Sequence, residues 1–175
     1  MATLAELLAS SLAALKQVQQ SGDFTIVKSG ELSPTHLKRL LANHFLMPVI
    51  KGWYIVTDPR AVPGDSTAWY ASFWNFILRY ATERYGKEWC LSAEQSLAIY
   101  SGSTTVPKQV LIRSPKGNNN SLELLPPTSL FNLEAALPSR IDTDNPYRLN
   151  LYPLAEAIIA ATPAIYKSDA TTMRT

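Results

Sequence analysis

The sequence predicts an α+β fold on three observations. Several segments carry apolar residues at helical spacing behind recognisable capping residues. Short β-prone runs are closed by compact polar turns. One long helical segment in mid-chain is unusually rich in aromatic residues. With 175 residues, 46% of them apolar, the chain is long enough for one ordinary domain or two small ones and can build a real core.

The first helix starts at Thr3-Leu-Ala-Glu6, where hydroxyl and carboxylate have the spacing to satisfy each other's orphan amides. Leu4, Leu8, Leu12, Leu15 and Val18 follow as its apolar face, and Ser21-Gly22 ends it. Phe24 to Val27 reads as a strand or extended connector, and Ser29 to Leu32 as a turn. Ser33-Pro34 opens a second, short helix, with Ser as N-cap and Pro at the first helical position, where no hydrogen bond is lost. Leu37, Leu40 and Leu41 face inward; Thr35, His36, Lys38, Arg39 and Asn43 face outward, and the helix stops near Asn43-His44. Phe45 to Ile50 and Trp53 to Val56 flank Lys51-Gly52, which predicts a hairpin. Helix, extended piece, basic helix, then hairpin is the order of a winged helix-turn-helix, and residues 1–60 are assigned to it. No helix is evident between residues 23 and 33, where that motif usually has one.

Thr57 to Gly64 holds two prolines and a glycine without periodicity and reads as the domain boundary. Residues 61–167 then form a small mixed α/β domain. Asp65 or Ser66 caps its long helix, which runs to Tyr85 and stops at Gly86. Trp69, Phe73, Trp74, Phe76, Ile77 and Tyr80 cover one broad face, read as core. Ser92-Ala-Glu-Gln95 repeats the capping-box spacing and starts a short helix ending before Gly102. Lys108 to Arg113 and Ser121 to Leu125 alternate around the polar stretch Pro115 to Asn120, which predicts a second hairpin. Leu151 to Ala161 reads as a terminal helix stopped by Pro163, and residues 168–175 as a disordered tail.

Charge and composition narrow the chemistry. Residues 1–60 carry six basic and four acidic residues, and the remainder ten of each. Between Ser33 and Gly52 stand three basic residues and two histidines but no acid. A charged fraction of only 17% points to extra buried surface, against a partner or a missing part of a larger protein. No apolar run approaches the roughly 20 residues that cross a bilayer, and the N-terminus lacks a signal-peptide pattern, so a cytoplasmic protein with no membrane partner is expected. The single cysteine, Cys90, excludes an internal disulfide framework, and two histidines eight residues apart make no paired metal motif. Neither a G-x-S-x-G elbow, a phosphate-binding loop nor a dinucleotide fingerprint occurs. Cys90 reads as a small buried thiol rather than a nucleophile. Gly102-Ser103 superficially matches a nucleotidyltransferase loop, but its nearest carboxylate pair, Asp142 and Asp144, lies about forty residues on. Lys116 with Asn118 to Asn120 reads as a solvated turn rather than a phosphate contact. No catalytic residue, metal or cofactor is expected.

Lys38, Arg39 and Lys51 read either as a solvated helix face with a lysine suited to a tight turn, or as DNA contacts, and the second reading supplies the candidate functional residues. A helix presenting Thr35, His36 and Arg39 can reach base edges in the major groove, with Lys38 and Asn43 on phosphates. Lys51, at the tip of the hairpin, would meet backbone or minor groove. Three or four phosphate contacts per subunit give a limited counterion-release term, so a homodimer or adjacent copies are expected.

The run Ser33-Pro34 through Leu40-Leu41, then Phe45-Leu46 and Val49-Ile50-Lys51-Gly52-Trp53-Tyr54, resembles the N-terminal winged helix of AbiEi-type antitoxins. His44-Phe45 stands where that family has a Gly ahead of the leucine. The stretches Gly64 to Trp74, Trp89 to Leu97 and Val106 to Gln109 are similar to those of such domains at the front of Fic-family proteins. Together the resemblance covers about residues 25–135. It implies a DNA-binding antitoxin-like autorepressor of a type IV toxin–antitoxin or Fic-associated system, with operator DNA and a cognate toxin or Fic domain as partners. The alternative it implies is a regulatory or protein-interaction domain of a Fic-family AMP-transferase. The His-Pro-Phe…Gly-Asn-Gly-Arg loop that performs Fic chemistry is not in this sequence, so this chain is expected to be non-catalytic.

Overall fold

The computed structural model describes residues 3–21, 25–62 and 64–163. Among them it is mixed α+β, with five α-helices and two sheets. The chain divides into two compact units, one up to Phe76 and one from Ile77 on. The 57–64 stretch, expected as the linker, lies inside the first unit, and the division falls within a helix.

The first unit holds α1 (Leu4–Ser21), β1 (Ile26–Lys28), a single 3-10 turn (Ser29–Glu31), α2 (Pro34–Ala42), β2 (Leu46–Ile50), β3 (Trp53–Val56) and the first half of α3 (Thr67–Tyr85). The start of α1 is the capping box the sequence predicts: Thr3 Oγ1 accepts from Glu6 N at 3.2 Å, and Glu6 Oε2 from Thr3 N at 2.7 Å. Its buried face is the expected one from Leu8 on, with Leu12, Leu15 and Val18 packed in the core, but it also includes Ser11 and leaves out Leu4. Ser11 and Leu15 are buried, whereas Leu4 is 87% exposed. The strands form an antiparallel sheet in the order β1-β3-β2, with Ile26 opposite Ile55 and Leu46 opposite Val56. Alternation along β3 separates two faces. Tyr54 and Val56 pack with Leu15, Val27, Leu32, Leu40 and Leu46, beneath α1 and α2. Trp53, on the other face, meets Phe76 of α3 edge-on with centroids 5.7 Å apart, and Trp69 stacks edge-on against Phe73 and Phe76. That aromatic contact places the first half of α3 with the N-terminal elements.

The second unit continues α3 and adds β4 (Cys90–Leu91), α4 (Ala93–Tyr100), β5 (Gln109–Ser114), β6 (Asn120–Glu123), β7 (Ser129–Glu134) and α5 (Leu154–Ala160). Helix α3 ends where expected, with Gly86 at φ 64 donating its N–H to Thr82 O. The sheet order is β4-β5-β7-β6, with β5 and β7 parallel and the other pairs antiparallel. The expected hairpin between β5 and β6 is therefore corrected: β7 lies between them. The chain leaving β5 crosses the end of β7, where Asn118 N and Asn119 N both donate to Asn132 O. Gly117 permits the crossing. A Cβ there would stand 2.3 Å from Leu133 O. Gln95 does not close the expected capping box either. Its amide docks on β5 instead, donating to Gln109 O and accepting from Leu111 N, while Ser92 Oγ caps α4 alone. The terminal helix begins at Leu154 rather than Leu151, because Leu151 is paired with Asp142 in an isolated bridge. Cys90, Ala93, Leu97, Tyr152, Ala157 and Ala161 form a core cluster beneath α4 and α5. The expected disordered tail lies outside the described residues. No described helix is long and apolar enough to cross a membrane.

Candidate nucleic-acid interface

Helix α2 is built as its sequence dictates. Ser33 Oγ accepts from His36 N at 3.3 Å, and Pro34 follows at the first helical position. Leu40 is fully buried, and Leu37 and Leu41 pack beside it. At the other end Phe45 N donates to Leu40 O and His44 N to Leu41 O. This pair of bonds is a Schellman closure. His44, at φ 58, occupies the left-handed position of that closure, which glycine usually fills.

The six residues proposed from sequence divide into two sets. Thr35, Lys38 and Lys51 are exposed and, among the described residues, hold no hydrogen-bond or ion-pair partner. Thr35 and Lys38 are three residues apart and line, with Pro34, Ala42 and part of Arg39, a shallow depression of about 530 Å³. The other three hold hydrogen-bond partners within the chain, His36 and Arg39 half-buried and Asn43 exposed. Arg39 Nη1 donates to Leu7 O at 3.0 Å and to Ser11 Oγ at 2.8 Å. His36 Nδ1 lies 3.0 Å from the same Ser11 Oγ. Asn43 Nδ2 donates to Arg39 O at 2.8 Å and so closes the end of α2. Arg39 and His36 are therefore turned toward α1 and half-buried, not outward as the helical wheel implied. The wheel lacked one fact: α1 offers a buried hydroxyl, Ser11, where a leucine face was expected.

Lys51 stands in the tight turn between β2 and β3. Gly52 supplies the left-handed backbone there, at φ 82. Gly52 O accepts from Ser29 N at 3.0 Å, tying the turn to the end of β1. Lys28, the last residue of β1, lies with its ammonium 5.2 Å from the Trp53 ring centroid. Lys28 and Lys51 thus share one end of the sheet. From Ser29 the chain reaches Pro34 in five residues, at most about 17 Å of backbone. The N-terminal turn of α2 therefore starts within about 17 Å of the residue that is bonded to the Lys51 turn. Glu31, in the intervening 3-10 turn, accepts from Lys28 N at 2.8 Å. Lys28 was missed because its place depends on β1 pairing with β3, a long-range fact.

The remaining candidates are set in structural roles. Cys90 is buried in β4, and burial pushes its thiol up to about 12, against the small opposing effect of Arg113. A thiol held protonated at neutral pH is not a nucleophile. Asp142 accepts from Asp144 N at 2.9 Å and from Tyr100 Oη at 2.8 Å, and these bonds hold its carboxyl below the usual range. Lys116 pairs with Glu88, and Asn119 Oδ1 accepts from Glu134 N, so the 115–120 segment is a braced crossing. Among the described residues no group of three or more His, Cys, Asp or Glu side chains gathers at one point. Comparison of the chain with models of protein families, with curated proteins and with solved structures found no match.

Proposed function

We propose that the chain is a non-catalytic, DNA-binding regulator of the antitoxin type that represses its own operon, acting as a homodimer on double-stranded operator DNA. The observation that carries this reading is the joint placement of two exposed basic elements. The Thr35–Lys38 face of α2 and the Lys51 turn both belong to the first unit, and Ser29, five residues before Pro34, is bonded to the turn at Gly52 O. The element order and the β1-β3-β2 sheet support a winged helix-turn-helix, with the 3-10 turn at Ser29–Glu31 in the place of the usual second helix. On that reading α2 enters the major groove. Thr35 faces base edges, Lys38 neutralises phosphate, and Lys51 with Lys28 follows the backbone beside it. His36, Arg39 and Asn43 hold α2 rather than read DNA. Few cations per subunit then require two subunits for useful affinity.

The test is fluorescence anisotropy of the full chain on the duplex upstream of its own coding sequence, with random duplex as competitor, at two salt concentrations. Specific binding that weakens with salt supports the reading. Absence of binding at micromolar protein in low salt overturns it.

A second reading has its own observation. An apolar groove of about 710 Å³ in the first unit is lined by Leu41, Leu46, Pro48, Pro59 and Val62, and Val62 is 71% exposed. This favours a protein-interaction module for a Fic-family AMP-transferase domain, in cis or in trans. Binding to a separately expressed Fic domain, with no affinity for duplex DNA, would select it.

A further inference from the structure

Ser11 lies in the middle of α1, fully buried. A buried hydroxyl is costly unless it is hydrogen-bonded, and serine is a poorer helix former than alanine. The position therefore needs a reason, and the reason is α2. Ser11 Oγ accepts from Arg39 Nη1 at 2.8 Å, lies 3.0 Å from His36 Nδ1 and is 3.1 Å from Leu7 O. Arg39 Nη1 donates to Leu7 O as well, at 3.0 Å. The single hydroxyl proton can serve Leu7 O, with His36 donating from Nδ1. It can equally serve His36 Nδ1, with Arg39 covering Leu7 O. Either arrangement leaves no member of the cluster unpaired.

The cluster controls a rotation. A helix turns 100° per residue. Thr35 and Lys38 each stand one residue before His36 and Arg39. Pinning the latter two against α1 turns the former two to the outside, about 100° round the helix. The leucines beneath α2 bury surface but are weakly directional. Hydrogen bonds to a fixed point are directional and set the angle.

We infer that Ser11 is a positioning residue: with Arg39 and His36 it forms a polar clamp that sets the rotation of α2 and so the angle at which Thr35 and Lys38 meet DNA. This rests on the DNA-binding reading above.

The experiment compares Ser11→Ala, Arg39→Ala, Arg39→Lys and the Ser11→Ala/Arg39→Ala double variant with the unaltered chain. Each is titrated by anisotropy against the upstream duplex and against random duplex, across a salt series, with far-UV circular dichroism and melting to show folding. A clamp predicts that Ser11→Ala and Arg39→Ala each weaken upstream-duplex binding roughly tenfold, the scale of one lost charge-assisted hydrogen bond. Random-duplex affinity and the salt slope stay where they were, and the double variant is no weaker than the weaker single. Arg39→Lys keeps the charge but loses the forked geometry, so it behaves like Arg39→Ala. The inference is overturned if Arg39→Ala lowers the salt slope by about one while Ser11→Ala binds like the unaltered chain. It is also overturned if Arg39→Lys restores full affinity. Both outcomes make Arg39 a phosphate contact and leave the DNA reading standing. No duplex binding by the unaltered chain removes the DNA reading, and the clamp's role falls with it. If Ser11→Ala melts before it can be assayed, Arg39→Lys alone decides between clamp and contact.

Discussion

Individual side chains divide the cations of the proposed interface into exposed ones and ones bound within the fold. Among the described residues Lys38 and Lys51 are exposed without hydrogen-bond or ion-pair partners, whereas Arg39 is bound to the carbonyl of Leu7 and the hydroxyl of Ser11. A lysine that neutralises one phosphate contributes about one unit of slope to the logarithmic salt dependence. Lys38→Ala and Lys51→Ala should each lower that slope by about one, weakening upstream and random duplex alike. A slope unchanged in both would remove this face from the interface. A second residue-scale prediction concerns Gly117. Its Cβ would meet Leu133 O at 2.3 Å and Glu134 N at 2.4 Å, both backbone atoms that cannot yield without moving β7. Gly117→Ala should cost about 2 kcal/mol in denaturant unfolding, on the scale of an overpacked core. No residue pattern announced this glycine, because the strand it crosses is a dozen residues further along the chain.

Helix α2 illustrates how an element is specified twice. Its start follows from Ser33 and Pro34, local features that any reader of the sequence can find. Its end depends on His44 taking a left-handed backbone conformation at φ 58, which costs an L-residue about 1 kcal/mol and glycine almost nothing. His44→Gly should therefore raise the unfolding free energy by about 1 kcal/mol, read from chemical denaturation at constant m-value. A destabilised variant would mean that the imidazole supplies packing worth more than the strain. The strands show the opposite balance. β5 and β6 were legible as alternating runs, but their pairing was not. β7 (Ser129–Glu134) buries Asn132, whose Oδ1 accepts from Tyr85 Oη at 2.8 Å. A polar residue at a core position interrupts the alternation that would have revealed the strand that separates β5 from β6.

Several carboxylates, in both units, are held below their ordinary values. Asp142 is held below its ordinary value of 3.8 by the Asp144 amide and the Tyr100 hydroxyl. Asp65 is held down by its hydrogen bond from Thr67, and Glu6 by its bonds from Thr3. Burial pushes Glu94 up from 4.5, but its hydrogen bonds, including the Thr162 amide at 3.1 Å, outweigh burial and leave it lowered. Depressed carboxyl values mean that the unfolded chain binds more protons than the folded one at acid pH. The resulting stabilisation is complete above the ordinary carboxylate range and is lost as pH falls through the folded-state values. The melting temperature should fall steadily from about pH 5 to about pH 3, and Asp142→Asn should make that fall shallower. A melting temperature flat across this window would contradict the assignment.

The sequence by itself determined the local elements of this protein. Caps at Thr3, Ser33 and Ser92, the Lys51-Gly52 turn, the stop at Gly86 and the aromatic face of α3 all follow from interactions within a few residues. It also determined the absence of the standard catalytic motifs and the candidate basic segment from Ser33 to Gly52. Tertiary structure alone decided the sheet order, the burial of Ser11, the place of Lys28 beside the Lys51 turn, and the inward direction of Arg39 and His36. The physical reason is reach. A capping bond or a tight turn is closed by residues three or four apart, so its cause lies in the local sequence. The direction of a long polar side chain is set by whichever partner the fold brings near it. For Arg39 that partner was a hydroxyl 28 residues earlier.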